Sequence, residues 1–214
     1  MSPVVPQSAL PHNIATQSSP RCRTRNRLVL SSLVLLATFG ASVAVAQTPT
    51  AATQADLALA KSVYVQGSWA EHGTDGATLG MTLPWQWRRD LWNGEVRGHW
   101  DAYVTRLSFD GARDYNHTWL IGLVPTLRWR PDAGRSPWFV EAGIGVTYMS
   151  DRYVTVHKEF STSFNFASHL GLGYNFGAQR AHEMQVRYEH LSNAGIDHPN
   201  PGENTLQLRY AYHF

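Results

Sequence analysis

The chain has 214 residues, of which 43% are apolar and 16% are charged, and its formal net charge is +2. The mean hydropathy of −0.30 excludes a bundle of membrane-spanning helices, because each such helix needs about 20 consecutive apolar residues. The single cysteine, Cys22, lies in the N-terminal segment. If that segment is removed, the remaining chain has no disulfide, no thiol nucleophile and no thiolate metal ligand.

The N-terminal region has the layout of a secretory signal peptide behind a polar extension. Four arginines between residues 21 and 27 precede an uncharged run over residues 28–46, which ends in the triplet Ala-Val-Ala. A single membrane anchor is the alternative, because such a run is just long enough to cross a bilayer. The small residues and the lack of a basic stop favour the signal peptide. We therefore predict that residues 1–46 are an N-terminal extension and signal peptide.

Removal of residues 1–46 changes the charge balance of the protein. The four arginines leave with that segment, and the remaining 14 basic side chains face 16 acidic ones, a net charge of −2. The basic isoelectric point of the whole chain therefore gives no reason to expect a nucleic-acid partner.

The rest of the chain shows the period-2 alternation of β-strands rather than a helical period. We expect residues 47–60 to be a short periplasmic lead-in and residues 61–214 to form one domain. Pro84 and Pro125 fall inside alternating segments, where each removes a ladder hydrogen bond, so they should mark strand ends or bulges. The pattern predicts eight strands, over residues 62–70, 77–87, 95–109, 115–130, 138–149, 163–176, 182–190 and 204–214.

The alternation favours an all-β fold, an eight-stranded antiparallel transmembrane β-barrel in the bacterial outer membrane. In the last segment Leu206 and Leu208 share one face, and Gln207 and Arg209 share the other. The eight tryptophans, all between residues 69 and 138, lie in or beside the segments and often near their ends, as interfacial girdles require. The alternative is a secreted lipocalin-like or sandwich fold, which also alternates. Charged side chains on the polar faces should fill the barrel interior, notably Asp101, Arg128 and Glu141.

His190 and Ser192 stand two residues apart at the end of the seventh segment. They share a strand face with Val186 and Tyr188, the face that looks at lipid in such a barrel. With both termini in the periplasm, the seventh of eight strands ends at the cell surface, so the pair should face the outer leaflet. A base and a hydroxyl on an apolar face make sense if the substrate itself is apolar.

This pair of residues has the chemistry of a hydrolase. A serine hydroxyl becomes an effective nucleophile when a base accepts its proton, and imidazole is the usual base. Backbone N–H groups of residues 193–195, or the Asn193 side-chain amide, are candidates for stabilising an oxyanion. A third group that orients the histidine is expected across the hairpin, in residues 201–204. A polar cap on a strand end, without catalysis, is the simpler alternative.

The hairpin also resembles a known family. Residues 190–195, His-Leu-Ser-Asn-Ala-Gly, and residues 199–202, Pro-Asn-Pro-Gly, resemble the lipid A 3-O-deacylase family of PagL type. Residues 138–146 and the Trp-Asp-Ala triplet at 100–102 are similar to the same family. The resemblance implies an eight-stranded outer-membrane barrel that acts as a serine hydrolase on the ester at the 3-position of lipid A.

The resemblance also implies residue roles. Ser192 is then the nucleophile, His190 the base, and Asn193 a contributor to the oxyanion hole. The acidic residue of the family, a glutamate, aligns with Asn204, and in this chain the glutamate is one residue earlier, at Glu203. Either Glu203 reaches His190 through a rearranged loop, or Asn204 orients the ring as a neutral amide. We prefer Glu203, because the start of a strand beside a glycine can bulge.

No metal or cofactor is expected, because the ten histidines show no ligand spacing such as His-Glu-x-x-His. The expected partners are lipid A of lipopolysaccharide and the surrounding outer-membrane lipid, and association into a homodimer stays open. The alternative function is a non-enzymatic outer-membrane surface barrel for binding or adhesion.

Overall fold

Eight strands make up most of this computed structural model, which describes Ala58 and residues 60–111 and 115–214. The predicted signal peptide and nearly all of the predicted lead-in lie outside the described residues. Within the described ranges, no helix is long and apolar enough to cross a membrane. The strands are β1 (Ser62–Ala70), β2 (Asp75–Leu91), β3 (Gly94–Asp110), β4 (Tyr115–Pro131), β5 (Trp138–Met149), β6 (Phe164–Phe176), β7 (His182–Ser192) and β8 (Glu203–His213).

The strands form one closed antiparallel barrel. Each strand pairs with the next in the chain, and β1 pairs with β8 from Ser62 opposite His213 to Ala70 opposite Thr205. Closure gives every described strand a neighbour on both sides, so the sheet has no free edge strand, as a sheet surrounded by lipid requires. All eight predicted strands and the barrel fold are confirmed.

The two strand prolines are accommodated in different ways. The β2–β3 pairing shifts register between Pro84 and Arg88, so the predicted bulge is confirmed there. By contrast, β4 continues through Pro125, and its pairing with β5 skips that residue without a register shift. Neither proline ends a strand, because neighbouring ladder bonds keep the chain extended on both sides.

The two ends of the barrel differ in the length of their connections. Residues 150–163 and 193–202 form long connections at one end, whereas the other end has residues 92–93, 132–137 and 177–181. Outer-membrane barrels have short periplasmic turns and longer loops at the cell surface. The end with the two long connections, called the outer rim below, therefore faces the cell exterior.

Side chains alternate between an apolar exterior and a polar interior along each strand. On β8, Leu206 and Leu208 are exposed, whereas Gln207 and Arg209 are buried inside the barrel. The exposed apolar residues form the surface that contacts lipid in a membrane barrel.

Ion pairs fill the middle of the interior. The carboxylate of Asp101 accepts hydrogen bonds from Tyr64 Oη at 2.6 Å, Arg187 Nη1 at 3.0 Å and Arg209 Nη2 at 2.9 Å. Asp101 has no exposed surface, so these bonds compensate the removal of three charged groups from water.

A second interior network lies nearer the periplasmic end. Arg128 donates to Glu141 Oε2 at 2.7 Å and, through its other terminal nitrogen, to Glu183 Oε2 at 2.7 Å. The prediction of a packed polar interior that contains Asp101, Arg128 and Glu141 is therefore confirmed for the middle of the barrel and for the part nearer its periplasmic end.

Near the outer rim the interior also contains an apolar cluster. Tyr153 and Phe160, from the connection over residues 150–163, fold into the barrel mouth and pack on side chains of the wall. We call this cluster the apolar plug. Its members are Leu107, Phe109, Leu120, Val124, Met149, Tyr153, Phe160, Ala167 and Leu191.

Replacement of Asp101 by alanine should destabilise the barrel. It leaves the buried guanidinium groups of Arg187 and Arg209 without their shared carboxylate, and we expect the free energy of unfolding to fall by about 3–5 kcal/mol. Urea unfolding in detergent micelles measures this change.

The matched control is Asp132→Ala, which removes an exposed ion pair with Arg135 whose closest atoms are 2.7 Å apart. Such a pair contributes about 0–1 kcal/mol. Equal losses for the two variants would contradict a structural role for the Asp101 network.

Candidate active site

The structure brings His190 and Ser192 to the outer rim on the exterior of the barrel. Both lie at the C-terminal end of β7, and both are partly exposed on the same face as Val186 and Tyr188. The side chain between them, Leu191, points inward and is buried in the apolar plug. Because successive side chains of a strand point to opposite faces, burial of Leu191 places the histidine and the serine together on the exterior.

The ring of His190 has one hydrogen-bond partner across the hairpin. The β7–β8 pairing sets His190 directly opposite Asn204, and Nδ1 lies 2.8 Å from Asn204 Oδ1. An amide oxygen only accepts, so this contact places the ring proton on Nδ1. The other ring nitrogen, Nε2, then carries the lone pair that a base needs.

The structure does not bring Glu203, the preferred partner of His190, to the imidazole ring. Glu203 faces the barrel interior and is 4% exposed, as the alternation of β8 requires. Its Oε2 accepts a hydrogen bond from Tyr153 Oη at 2.8 Å, and its Oε1 accepts one from Lys158 Nζ at 2.9 Å. No bulge turns Glu203 outward, so Asn204 meets the ring.

Tyr153 is a persistent donor to this carboxylate. Burial raises its pKa above the ordinary value, and the neighbouring charge of Glu203 raises it further. The phenol therefore remains protonated across the physiological pH range.

Asn193, the predicted oxyanion-hole residue, organises the connection over residues 193–202. Its side-chain nitrogen donates to Ser161 Oγ and to the carbonyl of Asp197, both at 2.9 Å. Its backbone N–H donates to Asn200 Oδ1 at 3.0 Å, and its Oδ1 accepts from the N–H of Gly195 at 2.9 Å. Its N–H groups thus have partners in the two long connections, and its oxyanion role stays a prediction.

Gly202 brings the backbone close to the imidazole. Its φ of +67° lies in the left-handed region, and a Cβ there would lie 2.7 Å from His190 Cε1. Glycine is therefore the residue that both this backbone conformation and this close approach require.

A groove of about 720 Å³ opens on the exterior beside His190. It runs across the strands, since His190 pairs with Ser168 on β6 and Ser168 pairs with Ile144 on β5. Adjacent strands are about 4.8 Å apart, so the groove extends about 14 Å from the histidine to β4. The residues that line it are mostly apolar: Trp85, Pro125, Leu127, Ala142, Gly143, Ile144, Ser168, His169, Leu170, Tyr188 and His190.

Sequence reasoning missed the contribution of residues 150–163 and the groove. The loop residues Tyr153, Lys158 and Ser161 reach the hairpin of β7 and β8 from positions some 30 to 50 residues away in the chain. No local sequence motif predicts such contacts. Among the described residues, no group of three or more His, Cys, Asp or Glu side chains could hold a metal ion.

A closed eight-stranded barrel with an apolar exterior and a polar interior is the architecture of outer-membrane β-barrel proteins. Residues 75–213 match the family described as lipid A 3-O-deacylase (PagL). That match spans more than half of the chain. The chain therefore belongs to the lipid A 3-O-deacylase (PagL) family of the bacterial outer membrane.

Individual relatives agree with this assignment. The lipid A deacylase PagL of Bordetella bronchiseptica is 34% identical over 131 residues, which cover 58% of this chain and 70% of the relative. Its counterpart in Pseudomonas aeruginosa is 29% identical over 157 residues, which cover 72% and 88%. The crystal structure of the outer membrane enzyme PagL superposes with a TM-score of 0.61 at 26% identity, and covers 72% of this chain and 99% of that one.

Replacement of Gly202 by alanine should impair the reactivity of Ser192. The added Cβ displaces the His190 ring, and a misplacement of about 1 Å costs about 100-fold in rate. The rate at which a fluorophosphonate labels Ser192 in purified, folded protein measures the effect.

Gly73→Ala is the matched control. Gly73 lies in the connection between β1 and β2, its φ is +79°, and the nearest atom to its added Cβ is Asp110 Oδ2 at 3.5 Å, an ordinary contact. It carries the same backbone strain without the clash, and its labelling rate should stay near that of the parent. Similar slowing in both variants would show that strain, and not displacement of His190, is responsible.

Proposed function

We propose that this protein is an outer-membrane esterase that hydrolyses the 3-O-linked acyl chain of lipid A through Ser192 and His190. Membership of the lipid A 3-O-deacylase family supports the substrate and the reaction. The observation that carries the proposal is the location of the serine and histidine. Both lie on the lipid-facing exterior at the outer rim, and the histidine lines an apolar groove there. A lipid ester of the outer leaflet can reach this position from the membrane.

In the first half of the proposed reaction, Nε2 of His190 accepts the proton of the Ser192 hydroxyl as the oxygen attacks the ester carbonyl carbon. The tetrahedral intermediate collapses, and the bond to the sugar oxygen breaks. The imidazolium gives its proton to that leaving oxygen, which departs as the free 3-hydroxyl group. The acyl chain remains bonded to Ser192.

In the second half, His190 accepts a proton from a water molecule, which attacks the acyl-enzyme carbonyl. Collapse of this intermediate returns the proton to Ser192 Oγ and releases the fatty acid. A free fatty acid and a deacylated lipid A are the products, and no cofactor takes part.

Asn204 has the orienting role in this proposal. Its Oδ1 accepts the Nδ1–H of His190 at 2.8 Å, which keeps the basic lone pair on Nε2. A neutral amide serves the same purpose in the Cys-His-Asn proteases. Unlike a carboxylate, it adds no negative charge to stabilise the imidazolium, so it contributes mainly orientation.

The groove supports an acyl substrate. Its apolar walls begin at His190 and extend about 14 Å across β6 and β5 to β4, away from the rim. An acyl chain that already lies in the membrane enters such a groove from lipid, and its ester then lies beside the serine. Because the chain enters from lipid and not from water, the usual gain of about 0.8 kcal/mol per buried CH₂ is largely absent, and the groove mainly positions the chain.

The first test replaces Ser192 by alanine in a Gram-negative host that expresses the protein. We expect the parent to remove one 3-hydroxyacyl mass from lipid A and Ser192→Ala to remove none, as mass spectrometry of extracted lipid A reports. The control variant is Ser136→Ala, a serine of a periplasmic turn, which should behave as the parent does. Unchanged lipid A with the folded parent, both in cells and with purified lipid A in detergent, would favour the non-enzymatic surface barrel.

The second test replaces Asn204 by aspartate. A carboxylate beside Nδ1 stabilises the protonated ring, so a higher pH is needed to produce the neutral base. We expect the acid limb of the pH–rate profile for kcat/KM to move to higher pH by about 1–3 units. A matched change at Asn116, an exposed residue of β4, should leave the profile in place. An unmoved profile for Asn204→Asp would exclude Asn204 as the partner of the catalytic ring.

A further inference from the structure

Glu203 lies next to the residue that orients His190 but does not touch the ring. Three donors converge on its buried carboxylate: Lys158 Nζ at 2.9 Å and the backbone N–H of Asn204 at 3.0 Å on Oε1, and Tyr153 Oη at 2.8 Å on Oε2. Because each of these hydrogen bonds restricts the buried carboxylate, the position of the Glu203 side chain is tightly determined.

One of these bonds acts directly on the orienting residue. Because the Asn204 backbone N–H is held by Glu203, the peptide plane at the start of β8 has a defined orientation. The Asn204 side chain leaves that backbone on the opposite face, toward His190. A rotation of this plane would move Oδ1 relative to Nδ1.

The other two bonds join the hairpin to the connection over residues 150–163. Tyr153 also shares a 2.6 Å hydrogen bond with Thr74 Oγ1, and its ring packs on Phe109 and Phe160 at 4.7 and 5.2 Å between centroids. This connection is itself folded, with Val154 bridged to Glu159. Glu203 is thus bonded to a folded connection that packs in the barrel mouth.

The same connection braces the segment that follows Ser192. Ser161 Oγ accepts a hydrogen bond from the Asn193 side chain at 2.9 Å, and the Ser161 N–H donates to the Pro199 carbonyl at 3.3 Å. Residues 150–163 therefore contact the loop of this hairpin through Ser161 and the start of β8 through Glu203.

We propose that Glu203 is a positioning residue that holds Asn204, and through it the His190 ring, by joining the start of β8 to residues 150–163. This inference rests on the proposed function. The glutamate expected from the family resemblance would orient the ring and supply a negative charge beside it. Here the amide of Asn204 does the first, and the charge of Glu203 is turned inward, where it is neutralised by Lys158.

The experiment compares Glu203→Ala and Glu203→Gln, with purified lipid A in detergent micelles, between about pH 5 and about pH 9. We expect the alanine variant to lower kcat by about 10–100-fold, because orientation of the base is lost, with little change in KM. The acid limb of the pH–rate profile should stay in place, since the carboxylate does not contact the ring. The glutamine variant keeps an acceptor oxygen for the Asn204 N–H and should restore most of the lost kcat.

Two further variants separate positioning from general damage. Glu189→Ala is the matched control: it removes another buried glutamate of the same wall, whose partner is Gln207 rather than residues 150–163, and kcat should stay near the parent value. Tyr153→Phe keeps the ring packing and removes one donor to Glu203. Its effect should be smaller than that of Glu203→Ala and should not add to it in the double variant.

Two results would overturn the proposal: a parent-like kcat in Glu203→Ala, or a displaced acid limb together with an inactive Glu203→Gln variant. The second result would mean that the charge acts on the ring itself. Fluorophosphonate labelling of Ser192 in the same variants provides a readout that does not require lipid A as the substrate. If the parent is labelled rapidly but releases no acyl chain, the proposed function fails, and the order of labelling rates still decides the role of Glu203.

Discussion

Backbone hydrogen bonding in lipid is the constraint on which the rest of the structure depends. A sheet surrounded by hydrocarbon cannot leave N–H and C=O groups unpaired, so β1 must pair with β8 and the sheet must close. Closure of eight strands leaves an interior just wide enough for side chains. Ion pairs around Asp101 and Arg128 and the apolar plug fill that space. The proposed site for a lipid ester therefore lies on the exterior, which lipid surrounds.

Because side chains alternate along a strand, one short segment of β7 contributes to both the interior and the exterior of the barrel. Leu191 is buried in the plug, while its neighbours His190 and Ser192 face outward. The packing that stabilises the barrel mouth thus also sets the direction of the two reactive side chains. The continuous register of the β7–β8 hairpin places Asn204 directly opposite the histidine. The hydrogen-bond partner of the ring therefore comes from the hairpin itself.

A single carboxylate can both orient an imidazole and supply negative charge beside it, and in this hairpin only the first role is filled at the ring. A carboxylate that orients an imidazole also stabilises its protonated form, whereas an amide provides orientation alone. In this chain the amide of Asn204 meets the ring, and the carboxylate of Glu203, one residue earlier, bonds to Tyr153 and Lys158 inside the barrel. A shift of one residue along a strand changes the face, so the two side chains cannot exchange roles without a bulge.

The sequence by itself determined the eight strands, their inner and outer faces, and the exposure of His190 beside Ser192, because alternation is a local property of an extended chain. Only the tertiary structure decided that Asn204, and not Glu203, meets the histidine. That outcome depends on the register across residues 193–202 and on contacts with residues 150–163. The groove likewise joins strands that are distant in sequence. Such features arise from the packing of separate segments, which no local pattern of residues encodes.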